Sequence, residues 1–186
     1  TVVGAWRPDR PTGKSLALNG HVDVVPTGPL DMWARPPFEP VIEGDWMYGR
    51  GAGDMKCGVA ANLFAMAALK TAGVMPAADV YLQTVIEEEC TGNGALSCFA
   101  RGYHPDAALI PEPSGETLMS AQVGVVWMQV TVRGRPVHAS VAGTGANAIE
   151  ACVPLWNALH ALEAEWNQTA HKHPAFSDEV HPINLV

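Results

Sequence analysis

Basic residues are scarce in this chain: 11 Lys and Arg stand against 19 Asp and Glu in 186 residues, for a formal net charge of −8. They form no patch suited to a phosphate backbone, so nucleic acid is not an expected partner. Apolar runs are also short, none approaching the ~18 residues that cross a bilayer, and no membrane partner is expected. A charged-then-apolar leader pattern is missing from the N-terminus. Four cysteines, Cys57, Cys90, Cys98 and Cys152, lack any C-x-x-C spacing. They read as small core residues in a reducing compartment, not as a disulfide scaffold, and the expected location is cytoplasmic. Repeats and low-complexity tracts are absent. An initiator Met is lacking as well, and Ile183 to Val186 reads as a strand cut in progress, so a fragment of a longer protein is expected.

What is present is ordinary globular material, 48% hydrophobic, enough for one large or two small domains. Residues 1–20 read as two strands joined hairpin-like by a polar turn from Arg7 to Lys14. In the second, Leu16-Ala17-Leu18 is a buried run that Asn19-Gly20 should break, so that His21 and Asp23 emerge at the strand's C-terminal edge. From Val25 to Pro40 the prolines are too dense for regular structure, and Trp33 and Phe38 are expected to anchor an ordered loop. Val41 to Tyr48 alternates about Gly44-Asp45, a hairpin signal.

A glycine-rich turn leads to Asp54, expected to sit at the positive end of a helix over Met55–Ala72 that packs on a sheet and stops at Gly73. Asp79–Glu87 is the clearest strand and runs into Glu87-Glu88-Glu89; a short helix over Ala95–Arg101 and a strand over Ala107–Ile110 follow, the latter ending at Pro111-Glu112-Pro113. Alternating strands and helices indicate an α/β fold with a mainly parallel sheet. The character changes near Ser120, so one domain is expected over 1–120 and a second over 121–186. The second opens with the β-rich run Val123–Val132 and continues in a helix over Ala146–Trp166, where Pro154 should kink the helix or displace its start. A loop around His171 to Pro174 then precedes a final strand.

Parallel strands end on the same side of a sheet, where ligands bind in open α/β folds. His21 with Asp23, Asp54, Glu88 with Glu89, and Glu112 should therefore converge on one edge. Two residues apart in extended backbone, His21 and Asp23 share a face, and the Asp23 carboxylate can accept the imidazole's second N–H and fix its orientation. One imidazole and several carboxylates without cysteine suit Zn²⁺, Mn²⁺ or Co²⁺ in an open catalytic site. Gathering so many carboxylates costs several kcal/mol each unless cations compensate, which two divalent metals would do.

Five segments carry a family resemblance: Gly20-His21-Val22-Asp23-Val24-Val25-Pro26, Gly49 to Gly58, Glu87-Glu88-Glu89 with Gly94, Glu112-Pro113, and Gly134 to Ser140. Together they resemble the M20 metallopeptidases and deacylases, which include acetylornithine deacetylase, succinyl-diaminopimelate desuccinylase, aminoacylase-1 and carboxypeptidase G. The resemblance implies a di-metal exopeptidase-like catalytic domain, followed by the start of an α+β, ferredoxin-like lid through which the protein forms a homodimer. It also implies two divalent metal ions, zinc first with cobalt or manganese as alternatives. His21 and Glu112 would hold one, Asp54 would bridge both, and Glu89 would bind the other. Asp23 would orient His21, and Glu88 would act as general base on the metal-bridging water, with Glu87 as the alternative if the register shifts by one. His138 would stabilise the oxyanion across the dimer.

The implied reaction is hydrolysis of an amide bond in a small N-acyl amino acid or peptide-like substrate. A dipeptidase or carboxypeptidase is the alternative within the family, and a catalytically silent metal-binding module the alternative outside it. The second metal's expected C-terminal histidine has no counterpart, His181 falling too early, so this chain alone is expected to be inactive or metal-poor.

Overall fold

Leu16-Ala17-Leu18 needs cover on both faces and a strand on each side, and the fold supplies both. The computed structural model describes residues 1–115, 117–119, 121–179 and 182–185. His181, set aside above as a ligand, and Ser120, where the character of the sequence changes, lie outside them. The described chain forms two compact units, Thr1–Leu118 and Met119–Val186.

In the first unit, β1 (Val2–Trp6), β2 (Leu16–His21), β5 (Val80–Val85) and β6 (Ala107–Leu109) form a four-stranded sheet in the order β1-β5-β2-β6. β5 is antiparallel to β1 and parallel to β2, which is parallel to β6, so the sheet is mainly parallel. The first two strands are therefore no hairpin, because β5 lies between them. A strand buried on both faces is satisfied by two parallel neighbours, and β2 has them in β5 and β6. Nor do Asn19 and Gly20 break β2, which runs through to His21. The Asn19 amide donates to the Gln83 side chain at 2.9 Å, and the Asn62 amide donates to the Asn19 carbonyl at 3.3 Å. This polar chain ties β5, β2 and the following helix together inside the core, where unpartnered amides would be costly.

Ala17, Leu18, Met55, Ala78, Val85 and Cys98 form the buried hydrophobic core among the described residues, glycine and proline aside. Burial of a side chain the size of Leu18, Met55 or Val85 contributes about 1.5–3 kcal/mol. Of the cysteines, Cys98 alone is buried, while Cys57 and Cys90 are exposed, which corrects the expectation that all are core residues.

The proline-rich loop contains only a 3₁₀ turn at Leu30–Met32. Trp33 anchors it, donating its indole N–H to the Thr27 carbonyl at 2.8 Å under the Arg50 guanidinium, 5.0 Å from the ring centre. Phe38 does not, being 67% exposed; Pro37 beside it is buried instead. β3 (Val41–Glu43) and β4 (Trp46–Tyr48) form the expected hairpin, with Gly44 at φ 59° in its turn.

α1 (Cys57–Thr71) begins later than expected. Residues Ala52–Lys56 form a separate wide turn in which Asp54 has φ −113° and ψ 102° and caps nothing. The helix lays a narrow face, Gly58 and Asn62, on the sheet, while Leu63, Phe64 and Leu69 remain exposed. Gly73 ends it at φ 70°, and the Val74 N–H reaches back to the Leu69 carbonyl at 3.0 Å, as in a glycine C-cap. α2 (Asn93–Ala100) follows β5 and begins two residues before its expected start.

In the second unit, α3 (Ala148–Trp166) is capped by Asn147, whose side chain accepts the Ile149 N–H at 3.0 Å. It runs through Pro154, which does not displace its start. The run Val123–Val132 is not a strand: Val125 is 70% and Trp127 80% exposed, and among the described residues this unit holds a single isolated bridge, Arg135 to Ala146. β-branched composition favours a strand only when a neighbouring chain takes up its N–H and C=O groups. The expected final strand is likewise absent from 182–185; there the Asn167 side chain pairs with both backbone groups of Ile183, at 2.7 and 3.1 Å.

Candidate metal centre

His21 ends β2, the glutamate turn follows β5, and Pro111-Glu112 follows β6, so three parallel strands deliver their ends to one edge. Two glycines allow the helices in close. A Cβ on Gly58 would meet the Pro111 carbonyl oxygen at 2.2 Å, and one on Gly94 would meet that of Ile86 at 2.0 Å. Without them neither α1 nor α2 could approach the strand ends that bear Glu112 and the glutamate turn.

His21 is only 1% exposed. Its Nδ1–H donates to the Asp23 backbone carbonyl at 3.0 Å, while the Asp23 carboxylate stands farther off at 3.5 Å. The expected carboxylate acceptor is thus displaced by the carbonyl of the same residue, because β2 has ended at His21 and its two-residue alternation no longer places the Asp23 side chain. That carboxylate instead accepts the backbone N–H groups of Glu88 at 3.4 Å and Glu89 at 3.2 Å.

The other ring nitrogen, Nε2, faces acid: Asp54 Oδ1 at 2.9 Å, Glu88 Oε2 at 3.8 Å and Glu112 Oε1 at 3.8 Å. Two overlapping triads, His21-Asp54-Glu89 and His21-Glu88-Glu112, each have ligand atoms within 4.8 Å of one another. Glu87 is not among them. Its carboxylate accepts from Thr91 Oγ1 at 2.7 Å and Asn93 Nδ2 at 3.1 Å. In the second unit, exposed His138 accepts the Ser140 N–H through Nδ1 at 3.2 Å and lies 2.9 Å from Ser140 Oγ.

Electrostatics follow from this crowding. Burial disfavours the charged form of His21, but hydrogen bonds to Asp23 and Asp54 and the charges of Glu112 and Glu88 outweigh it and raise its pKa. Glu89 is pushed up by burial and then by the Asp54 charge. Glu112 is pushed up by burial, with Asp54, Glu88 and Glu89 adding to it. Glu87 moves the other way, held low by Thr91 and Asn93.

These residues fit divalent cations. With Nδ1–H committed to a carbonyl, Nε2 faces the Asp54 carboxylate at 2.9 Å, a contact that takes either a proton on Nε2, as the raised pKa of His21 favours without metal, or a cation held by both groups once His21 is neutral. Bonds of about 2.0–2.1 Å to tetrahedral zinc imply ligand–ligand edges of about 3.3 Å, inside the observed 2.9–3.8 Å around Nε2.

A mixed α/β unit with an imidazole and carboxylates at its parallel strand ends has the build of a metal-dependent protein. The chain belongs to peptidase family M20/M25/M40, whose model matches residues 17–182, and this metallopeptidase family implies divalent metal ions. It is 34% identical over 180 residues to N-formyl-4-amino-5-aminomethyl-2-methylpyrimidine deformylase of Bacillus subtilis, covering 91% of this chain and 42% of that protein. With a probable succinyl-diaminopimelate desuccinylase of Staphylococcus aureus it shares 36% identity over 160 residues, 85% of this chain and 39% of that protein. The chain thus spans about two fifths of the length of these curated relatives. Among solved structures, the M20 family metallo-carboxypeptidase Sso-CP2 of Sulfolobus solfataricus matches with a TM-score of 0.49 and 28% identity, over 58% of this chain and 25% of that one.

Sequence reasoning passed over Thr91 and Asn93, the partners of Glu87. Their signal is modest: short polar side chains at the entrance to a helix, Thr91 just before α2 and Asn93 its first residue, where they hydrogen-bond locally.

Proposed function

We propose that this chain carries metal-site and catalytic residues of a hydrolase that cleaves the amide bond of a small N-acyl substrate. The observation that carries the reading is His21 Nε2 facing three carboxylates within 2.9–3.8 Å. His21, Asp54, Glu89 and Glu112 are read as the ligands, and zinc is the favoured ion, with cobalt or manganese as alternatives. Divalent cations bound there would lower the pKa of water and polarise the scissile carbonyl.

Glu88 is read as the general base. Its half-exposed carboxylate stands 3.8 Å from His21 Nε2, whereas that of Glu87 is occupied by Thr91 and Asn93. It would take a proton from the attacking water and return it to the leaving amine. Asp23 orients His21 through its carbonyl and holds the glutamate turn through its carboxylate. His138 accepts at Nδ1 from Ser140, so its neutral form carries the proton on Nε2, the tautomer that can donate to an oxyanion. The unit Met119–Val186 is read as part of a lid, supported by the Gly134–Ser140 motif, through which a cytoplasmic homodimer forms.

Relatives named as a deformylase and a desuccinylase favour an acyl group over a dipeptide. The test is metal analysis of the intact protein, followed by turnover on N-formyl, N-succinyl and N-acetyl substrates against dipeptides. Glu88→Gln should keep its metal and lose about 10²–10⁴-fold in kcat. Full activity in that variant, or a protein that takes up no divalent metal, would overturn the reading.

A further inference from the structure

We infer that Glu87 is a positioning residue of the metal centre, a clasp that presents Glu88 and Glu89 to His21 without touching the ions itself. The inference rests on the metal-centre reading above.

Glu87 is the only non-glycine residue with positive φ among the described residues, at 60°. That left-handed conformation reverses the chain two residues beyond the end of β5. Its carbonyl accepts the N–H groups of Gly92 at 2.7 Å and Thr91 at 3.1 Å. Its carboxylate accepts from Thr91 Oγ1 and Asn93 Nδ2, and Thr91 Oγ1 in turn accepts the Asn93 N–H at 3.1 Å. Both acceptor groups of Glu87 therefore bind residues 91–93, at the entrance to α2. Gly94 seats that helix directly on the backbone of Ile86, so the far end of the turn cannot drift.

Between these fixed points hang Glu88 and Glu89, whose own N–H groups are held by Asp23. Like charges oppose this arrangement, since Glu88, Glu89, Asp54 and Glu112 repel one another wherever they are ionised together. A turn free to swing would relieve the repulsion by moving outward, and a clasped turn keeps its carboxylates in place before any cation arrives. This is preorganisation: ordering done by Glu87 in advance does not have to be done by the metal. The side chain of Glu87 suits the task because its acceptor oxygen serves a hydroxyl and an amide together.

The test is Co²⁺ titration of the purified intact protein, followed by the ligand-field absorption bands, for wild type, Glu87→Ala, Glu87→Gln and Thr91→Val, with circular dichroism to check folding. Glu87→Ala should weaken Co²⁺ binding by about tenfold or more and change the bands. Glu87→Gln retains an acceptor oxygen and should bind close to the wild-type value. Wild-type affinity and bands in Glu87→Ala would overturn the inference, as would Gln binding as weakly as Ala, since charge and not the clasp would then matter. If Glu87→Ala does not fold, Thr91→Val decides, weakened binding supporting the clasp and unchanged binding overturning it. A wild-type protein that takes up no Co²⁺ overturns the metal-centre reading and this inference with it; uptake with Glu87→Ala unaffected overturns this inference alone.

Discussion

The Asp23 carboxylate accepts the backbone N–H of Glu89 at 3.2 Å, joining the end of β2 to the turn that follows β5 across 66 residues of chain. One aspartate thus serves two neighbours: its carbonyl holds the His21 ring, and its carboxylate holds the backbone of two glutamates. Asp23→Ala should leave the ring's acceptor in place and release the turn, weakening divalent-metal affinity by about 10–100-fold, the usual effect of losing a supporting partner. Zn²⁺ competition titration would measure it, and an unchanged affinity would mean that the turn stands without Asp23.

A second prediction concerns pH. The pKa values of Glu89, Glu112 and His21 are all raised in the folded protein. Their contributions to the stability of the metal-free form are therefore complete below the unfolded values, 4.5 for the glutamates and 6.5 for the histidine, and are lost as pH rises through the higher folded values. Metal binding needs these groups deprotonated and expels their protons. The rise in Tm produced by Zn²⁺ over EDTA should accordingly grow between about pH 5 and pH 8. Thermal melts at fixed ionic strength would show it; a rise independent of pH would contradict proton release at the site.

A third follows from the close approach at α2. Gly94→Ala places a methyl group against the Ile86 backbone, where its Cβ would lie 2.0 Å from the carbonyl oxygen. Backbone on both sides has little room to yield, so the variant should lose about 1–3 kcal/mol in urea unfolding, typical of overpacking. A midpoint equal to wild type would show that α2 can lift off the sheet at no cost.

The cysteines give a fourth. Cys57 and Cys90 are exposed, whereas Cys98 is buried and burial pushes its thiol up in pKa. A chromogenic disulfide reagent should label Cys57 and Cys90 in the native protein and reach Cys98 only on unfolding. Mass spectrometry of the labelled peptides would identify the sites, and early labelling of Cys98 would contradict the packing of α2.

The elements with the strongest local signals were legible in the sequence. The strand composition of Asp79–Glu87, the glycine stop at Gly73 and the Gly44-Asp45 turn all depend on neighbours a few residues away; β5 lies within the expected span, over Val80–Val85, and both glycines stand where their patterns imply. The gathering of His21, Asp54, Glu88, Glu89 and Glu112 was also legible, because parallel strand ends share an edge and those residues lie at such ends or in the adjoining turns. What escaped depends on distant partners. Nothing within residues 1–21 announces that β5 will come between β1 and β2. Asn19 reads as a strand breaker until Gln83 is known to bind its amide. Asp54 reads as a helix cap, but α1 begins only at Cys57, with Lys56 in the N-cap position. Val123–Val132 has strand composition, and composition says nothing of whether a neighbour is there to pair with it.

The placement of β5 between β1 and β2 also bears on how the chain is made. Val2 pairs with Thr84 and Leu16 with Val80, so β1 and β2 do not meet their shared neighbour β5 until some sixty residues after β2 have left the ribosome. Such distant pairings fold slowly. In that interval Leu16-Ala17-Leu18 lacks both of its parallel neighbours, β5 and β6, and offers a point of contact for the chaperones that shelter unfinished proteins.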